Sequence, residues 1–138
     1  MAGLKSIIRL RKHQLDEKRR VVTQLQLMLD NLKREEQRLI DDLEAEKKHA
    51  TVDLESGVAF PNYNKKVQEK LKITRAEQVK VEASIDRARA ELQDAFKDMK
   101  TIEITDRERA RREAEAEKLK EDQTMDEIGL EGFRRKDK

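Results

Sequence analysis

The chain has no cysteine and no tryptophan, one tyrosine, three phenylalanines, four glycines and a single proline in 138 residues. Without cysteine there are no disulfides, no thiolate metal sites and no thiol redox chemistry. No apolar run approaches the roughly 18 residues of a membrane span, and no signal-peptide apolar region follows the first charges, which predicts a soluble, unprocessed chain. Ala2 also breaks the myristoylation pattern. Leu, Ile, Val and Phe make up only about 23% of the residues, close to the lower limit for a packed core. That leaves little material for a deep, dry pocket.

What is abundant is charge, 32 Lys and Arg against 30 Asp and Glu, together with Leu, Ala and Gln. This is the composition of long helices with a narrow apolar seam. The seam is legible. Positions spaced alternately four and three apart run Leu4, Ile8, Arg11, Leu15, Lys18, Val22, Leu25, Leu29, Leu32, Glu36, Leu39, Leu43, Glu46, Ala50 and Asp53, without a change of phase. A second seam runs Val67, Leu71, Thr74, Gln78, Val81, Ile85, Ala88, Leu92, Ala95, Met99 and Ile102. Between them lies Glu55-Ser56-Gly57-Val58-Ala59-Phe60-Pro61, where Gly57 suits the residue past a helix end and Pro61 the first turn of the next.

These patterns predict an all-α antiparallel coiled-coil hairpin over 1–120, with a helix over 4–54, a turn over 55–61 and a helix over 62–120. The arms would be on the order of 75 Å long at about 1.5 Å per residue. Folding about such a turn makes facing residue numbers sum to about 117. Leu32 then meets Ile85, Leu29 meets Ala88, Leu25 meets Leu92, Val22 meets Ala95 and Leu15 meets Ile102, with Arg11 opposite Asp106. Nearer the turn Leu39 would face Gln78 and Leu43 Thr74, a poorer stretch expected to open first. Beyond Arg109 the second helix outruns the first. The tail 121–138 holds two glycines and scattered Met125, Ile128, Leu130 and Phe133, and is predicted to be flexible.

Catalysis needs convergent groups in a concave site, which a two-helix hairpin does not offer, so no enzymatic activity and no catalytic residue is predicted. There is no Gly-rich phosphate loop, and His13 and His49 lie far apart on the first helix with no second histidine at a spacing of three or four, so no cofactor or metal is expected. Charge is uneven along the chain: residues 1–20 hold seven basic groups against two acidic ones, while 21–58 hold five against nine. The open end of the hairpin would gather Lys5, Arg9, Arg11, Lys12, Lys18, Arg19 and Arg20 near Arg107, Arg109, Arg111 and Arg112, a patch suited to an acidic surface. Interleaved glutamates and scarce aromatics argue against nucleic acid. Further apolar residues such as Leu10, Val21, Met28, Ile40, Val79 and Phe96 are too scattered for a second stripe, so the isolated chain is expected to be a monomer.

The opening Met1-Ala2-Gly3-Leu4-Lys5 before a basic helix, Gly57-Val58 near mid-chain, Asn62-Tyr63 leading the second helix, a charged overhang and Met125-Asp126-Glu127 in the tail follow a known order and spacing. Over nearly its whole length the chain resembles the FliJ family of the flagellar type III export apparatus, whose injectisome relatives are stalk proteins of the secretion ATPase. The resemblance implies an antiparallel coiled coil similar to the central stalk of rotary F-type ATPases. It implies a non-catalytic stalk in the pore of a hexameric flagellar export ATPase, helping the ring assemble, linking it to the cytoplasmic domain of the export gate and able to bind export chaperones. The implied location is cytoplasmic, peripheral to the inner membrane at the flagellar basal body. With the basic end in the pore, Arg9, Arg11, Lys12, Arg109, Arg111 and Arg112 become the ring contacts. The gate contact falls on the outer face of the second helix, here Lys66, Lys70, Ile73 and Glu77. The competing expectation from the residues alone is a structural coiled-coil scaffold or adaptor that binds partner helices.

Overall fold

The computed structural model describes residues 2–136 and consists of two α-helices, α1 (Ala2–Ala50) and α2 (Leu54–Lys136), with no strand among the described residues. They pack against each other as an all-α hairpin. The direction follows from contacts across the pair: Lys18 reaches Glu91 and, further along α1, Glu36 reaches Arg75, so numbers rise on one helix as they fall on the other.

Every seam position of α1 from Leu4 to Leu43 is buried or half-buried except Arg11, and so is every seam position of α2 from Val67 to Ile102. The 3.5-residue period therefore identifies the packed faces. Outside the seam the helices are held by pairs three and four apart, such as Arg20 with Glu17 and Arg38 with both Glu35 and Asp42. Each contributes a few tenths of a kcal/mol.

The turn lies earlier than the glycine and proline suggested. Only residues 51–53 leave the helices, so α1 ends at Ala50 instead of 54, and α2 begins at Leu54 instead of 62. Hydrogen bonds explain the choice. The last carbonyls of α1 are taken by Thr51 Oγ1 on Lys48 O (2.7 Å) and by the Val52 and Asp53 amides on His49 O (3.1 and 2.9 Å). Asp53 then caps α2, its carboxylate accepting from the Glu55 amide (3.3 Å) and the Ser56 hydroxyl (3.1 Å). Gly57 and Pro61 lie inside α2. Pro61 has no N–H for the Gly57 carbonyl. Continuity of the seam offsets this loss, because Gly57, Phe60 and Asn64 extend the second seam backwards in phase and all three are half-buried.

The earlier turn moves the register. Gln78 Nε2 donates to Leu32 O (3.5 Å) and Glu36 Oε2 (2.5 Å), and Lys18 Nζ lies 2.9 Å from Glu91 Oε2. Facing numbers thus sum to about 110, one heptad below the expected value of about 117. The same residues line the seam, but each meets a partner seven positions away from the expected one. Leu32 lies level with Gln78 instead of Ile85. The turn-proximal stretch also gains an apolar cluster: Leu39, Val67 and Leu71 are buried together, with Ile40, Leu43 and Tyr63 against them.

The chain divides into two compact units, one of residues 13–95 and one of residues 1–12 with 96 onward. The first contains the cluster just described and the buried Val81, Ile85 and Ala88. In the second, Met99 is buried while Leu4, Ile8, Ile102, Asp106 and Arg109 are half-buried. Residues 121–136 of the tail expected to be flexible are helical, and 137–138 fall outside the described residues. Ala-, Glu- and Lys-rich sequence with four-residue ion pairs sustains this helix without tertiary cover.

Candidate partner-binding surfaces

Arg9, Arg11, Lys12, Arg109, Arg111 and Arg112 all belong to the same compact unit. Five of them are exposed and Arg109 is half-buried. The overhang arginines are not bare cations. Arg109 Nε lies 3.8 Å from Glu113, Arg111 Nη1 3.1 Å from Glu115 and Arg112 Nη2 4.0 Å from Glu108, each pair spanning one helical turn. Exposed pairs of this kind are worth about 0–1 kcal/mol, so an incoming carboxylate can replace the intrahelical one at little cost. Further along α1, Lys18 is committed to Glu91, Arg19 to Asp16 and Arg20 to Glu17. These three contribute less to an open basic patch than a count of charges suggests.

Lys66, Lys70, Ile73 and Glu77 occupy successive turns of α2, offset from the buried Val67, Leu71 and Thr74, and all four are exposed. Ile73 is 66% exposed, an aliphatic side chain with polar neighbours. Glu77 lies 3.5 Å from Lys80. Lys70 acts across the helix pair on Glu35, whose carboxyl is held below its usual range first by the hydrogen bond from Arg38 and, to a lesser degree, by the charges of Arg38 and Lys70.

Sequence reasoning missed a polar layer inside the seam. Glu36, whose side chain is 25% exposed, accepts from Gln78 Nε2 and from Arg75 Nε (3.2 Å) on α2, level with the buried Thr74. The Gln78 hydrogen bond, then the Arg75 one, hold its carboxyl below the usual range against the opposing effect of desolvation. The signal was present in the sequence, since Glu36 interrupts the run of leucines on the first seam and Thr74 and Gln78 are neighbouring polar positions of the second; only the register joins them.

Among the described residues no group of three or more His, Asp or Glu could hold a metal ion, and no helix is long and apolar enough to cross a membrane. His13 and His49 are both exposed. The longest uncovered stretch is the end of α2, where residues 110–135 are exposed throughout. Its apolar members Leu119, Met125, Ile128, Leu130 and Phe133 are each about 60–70% exposed.

The chain matches no family model, no curated protein and no solved structure.

Proposed function

We propose that this protein is the non-catalytic stalk of a flagellar type III protein export ATPase, inserting into the hexameric ring, promoting its assembly, coupling it to the export gate and escorting export chaperones. The observation that carries the reading is the antiparallel hairpin with helices of unequal length, 49 residues in α1 against 83 in α2, with basic residues of both helices in one unit. The family resemblance supplies the partner. Arg9, Arg11, Lys12, Arg109, Arg111 and Arg112 engage acidic or polar groups of the pore. Lys66, Lys70, Ile73 and Glu77 form the face offered to the gate. In this reading the protein works in the cytoplasm, held at the inner membrane by its partners alone.

The test is the ATP hydrolysis rate of a purified flagellar-type export ATPase from the same source, with and without this chain, with ring formation scored by electron microscopy. Several-fold stimulation with density entering the pore is the expected result. Unchanged rate and unchanged assembly of a competent ATPase would overturn the reading.

A second reading, a scaffold or adaptor that binds partner helices, is favoured by one observation. The end of α2 presents Met125, Ile128, Leu130 and Phe133 to solvent on an already helical segment. Retained partner capture by the full chain, but not by an I128D/F133D variant, in the absence of any effect on the ATPase would establish it.

A further inference from the structure

Two seams that each repeat every seven residues can be paired in more than one way, because sliding one helix by a heptad returns apolar positions to apolar positions. In residues 13–95 both alternatives can be named. In the register of the structure Leu39 packs with Leu71, Leu32 lies level with Gln78 and Leu25 lies near the level of Ile85. One heptad away Leu32 meets Ile85, Leu25 meets Leu92 and Val22 meets Ala95, all apolar pairs. A sliding step of seven residues corresponds to a translation of about 10 Å along the helix axis.

Beside the turn, what separates the two inside the seam is the polar layer. In the observed register Glu36 lies where Gln78 and Arg75 both donate to it. After the slip Glu36 lies level with Val81, which is buried, and Glu82 stands where Arg75 stood, so the ion pair gives way to a like charge while Gln78, now level with Leu39, stays within one turn. A partly buried carboxylate that exchanges a guanidinium for a second carboxylate is disfavoured. Glu36 therefore adds, beside the turn and the Leu39–Val67–Leu71 cluster, to the preference for the observed pairing. A single buried polar position setting register is a known use of such groups in coiled coils.

We propose that Glu36, held by Gln78 and Arg75, is a register latch, and that the hairpin has a second register one heptad away that becomes populated when the latch is opened. The proposal stands independently of the partner. On a stalk it supplies a discrete way to change the relation between the helices, with the reversal at residues 51–53 re-formed further along the chain.

The absence of cysteine from the chain makes a direct test available. Leu25→Cys with Ile85→Cys reports the observed register, and Leu25→Cys with Leu92→Cys reports the slipped one, each in the full chain and each with Glu36 intact or changed to Leu. With Glu36 present, disulfide formation under mild oxidation should be fast for the first pair and slow for the second. With Glu36→Leu, closure of the 25/92 pair should rise at least about fivefold relative to the 25/85 pair. A ratio unchanged by Glu36→Leu at unchanged helicity overturns the latch. If Glu36→Leu loses helicity, Glu36→Gln decides the matter, since it keeps the shape and gives up the Arg75 ion pair: an increased ratio supports the proposal and an unchanged one overturns it.

Discussion

A Cβ added at Gly57 would lie 3.0 Å from the carbonyl oxygen of Ala50, the last residue of α1. The first turn of α2 and the end of α1 approach so closely there because the reversal between them takes only three residues. The glycine has no positive φ to explain it, so its function is clearance.

Gly57→Ala and Gly129→Ala should therefore part company. Both remove a glycine from within α2, a change worth up to about 0.5–1 kcal/mol in favour of the helix. At 129 nothing lies within 4 Å of the new methyl group, so the full gain in helicity should appear by circular dichroism. At 57 the main-chain oxygen must give way, and denaturant melts should show no gain or a loss.

Pro61→Ala should stabilise. It restores an N–H for the Gly57 carbonyl and removes the ring from the interior of α2, a difference of about 1–3 kcal/mol after allowing for the freer unfolded chain. An unchanged or lowered melting temperature would show that the proline is needed for the hairpin's local geometry.

Leu39→Ala and Leu71→Ala should each cost about 2–4 kcal/mol, because both side chains are nearly fully buried in one cluster and leave a cavity that two helices cannot collapse around. Leu27→Ala, at a position 56% exposed, should stay within about 0.5 kcal/mol. Equilibrium urea unfolding distinguishes the two classes.

Acid should loosen the hairpin at identifiable points. Glu36 and Glu91 have carboxyls below the usual range, Glu36 through Gln78 and Arg75, and Glu91 through the hydrogen bond and charge of Lys18. For a carboxylate whose folded value is lowered, the stability it adds is complete above its unfolded value of about 4.3 and fades as the pH falls through the folded value. Helicity and melting temperature should hold steady down to about pH 4.5 and then decline. In Glu36→Gln the decline should be shallower.

Under the proposed stalk function, reversing charge at Arg9, Arg11, Arg109 and Arg111 together should abolish stimulation of a flagellar-type export ATPase while leaving the unit of residues 13–95 folded. Two of the new carboxylates would stand one turn from Glu113 and Glu115, so some helicity of the overhang should also be lost. Stimulation that survives the reversal would rule out electrostatic docking as its basis.

The seams were legible because their period is a property of each helix alone: Leu4 to Leu43 and Val67 to Ile102 could be read from spacing. The register was not, because seven-residue periodicity gives the same pattern for pairings one heptad apart. Choosing between them required the turn. Gly57 and Pro61 drew the reversal towards themselves, while the determining residues were Thr51 and Asp53, whose side chains close one helix and open the next. The same ambiguity hid the polar layer, since Glu36 and Arg75 face each other only in the register that the turn selects. Among the basic residues, number and position were legible, but the carboxylates that occupy Lys18, Arg109 and Arg111 depend on side-chain geometry.

Residues 110–135 are exposed on every side and helical without a break. Nothing else among the described residues shelters this stretch, so its order comes from local propensity and from pairs such as Arg111 with Glu115. A partner that closes around it meets a segment whose backbone is already set, and so avoids much of the roughly 1–2 kcal/mol per residue that ordering a coil would take. The same exposure makes its helix the easiest part of the molecule to fray, and therefore the part whose protection from proteolysis would report binding first.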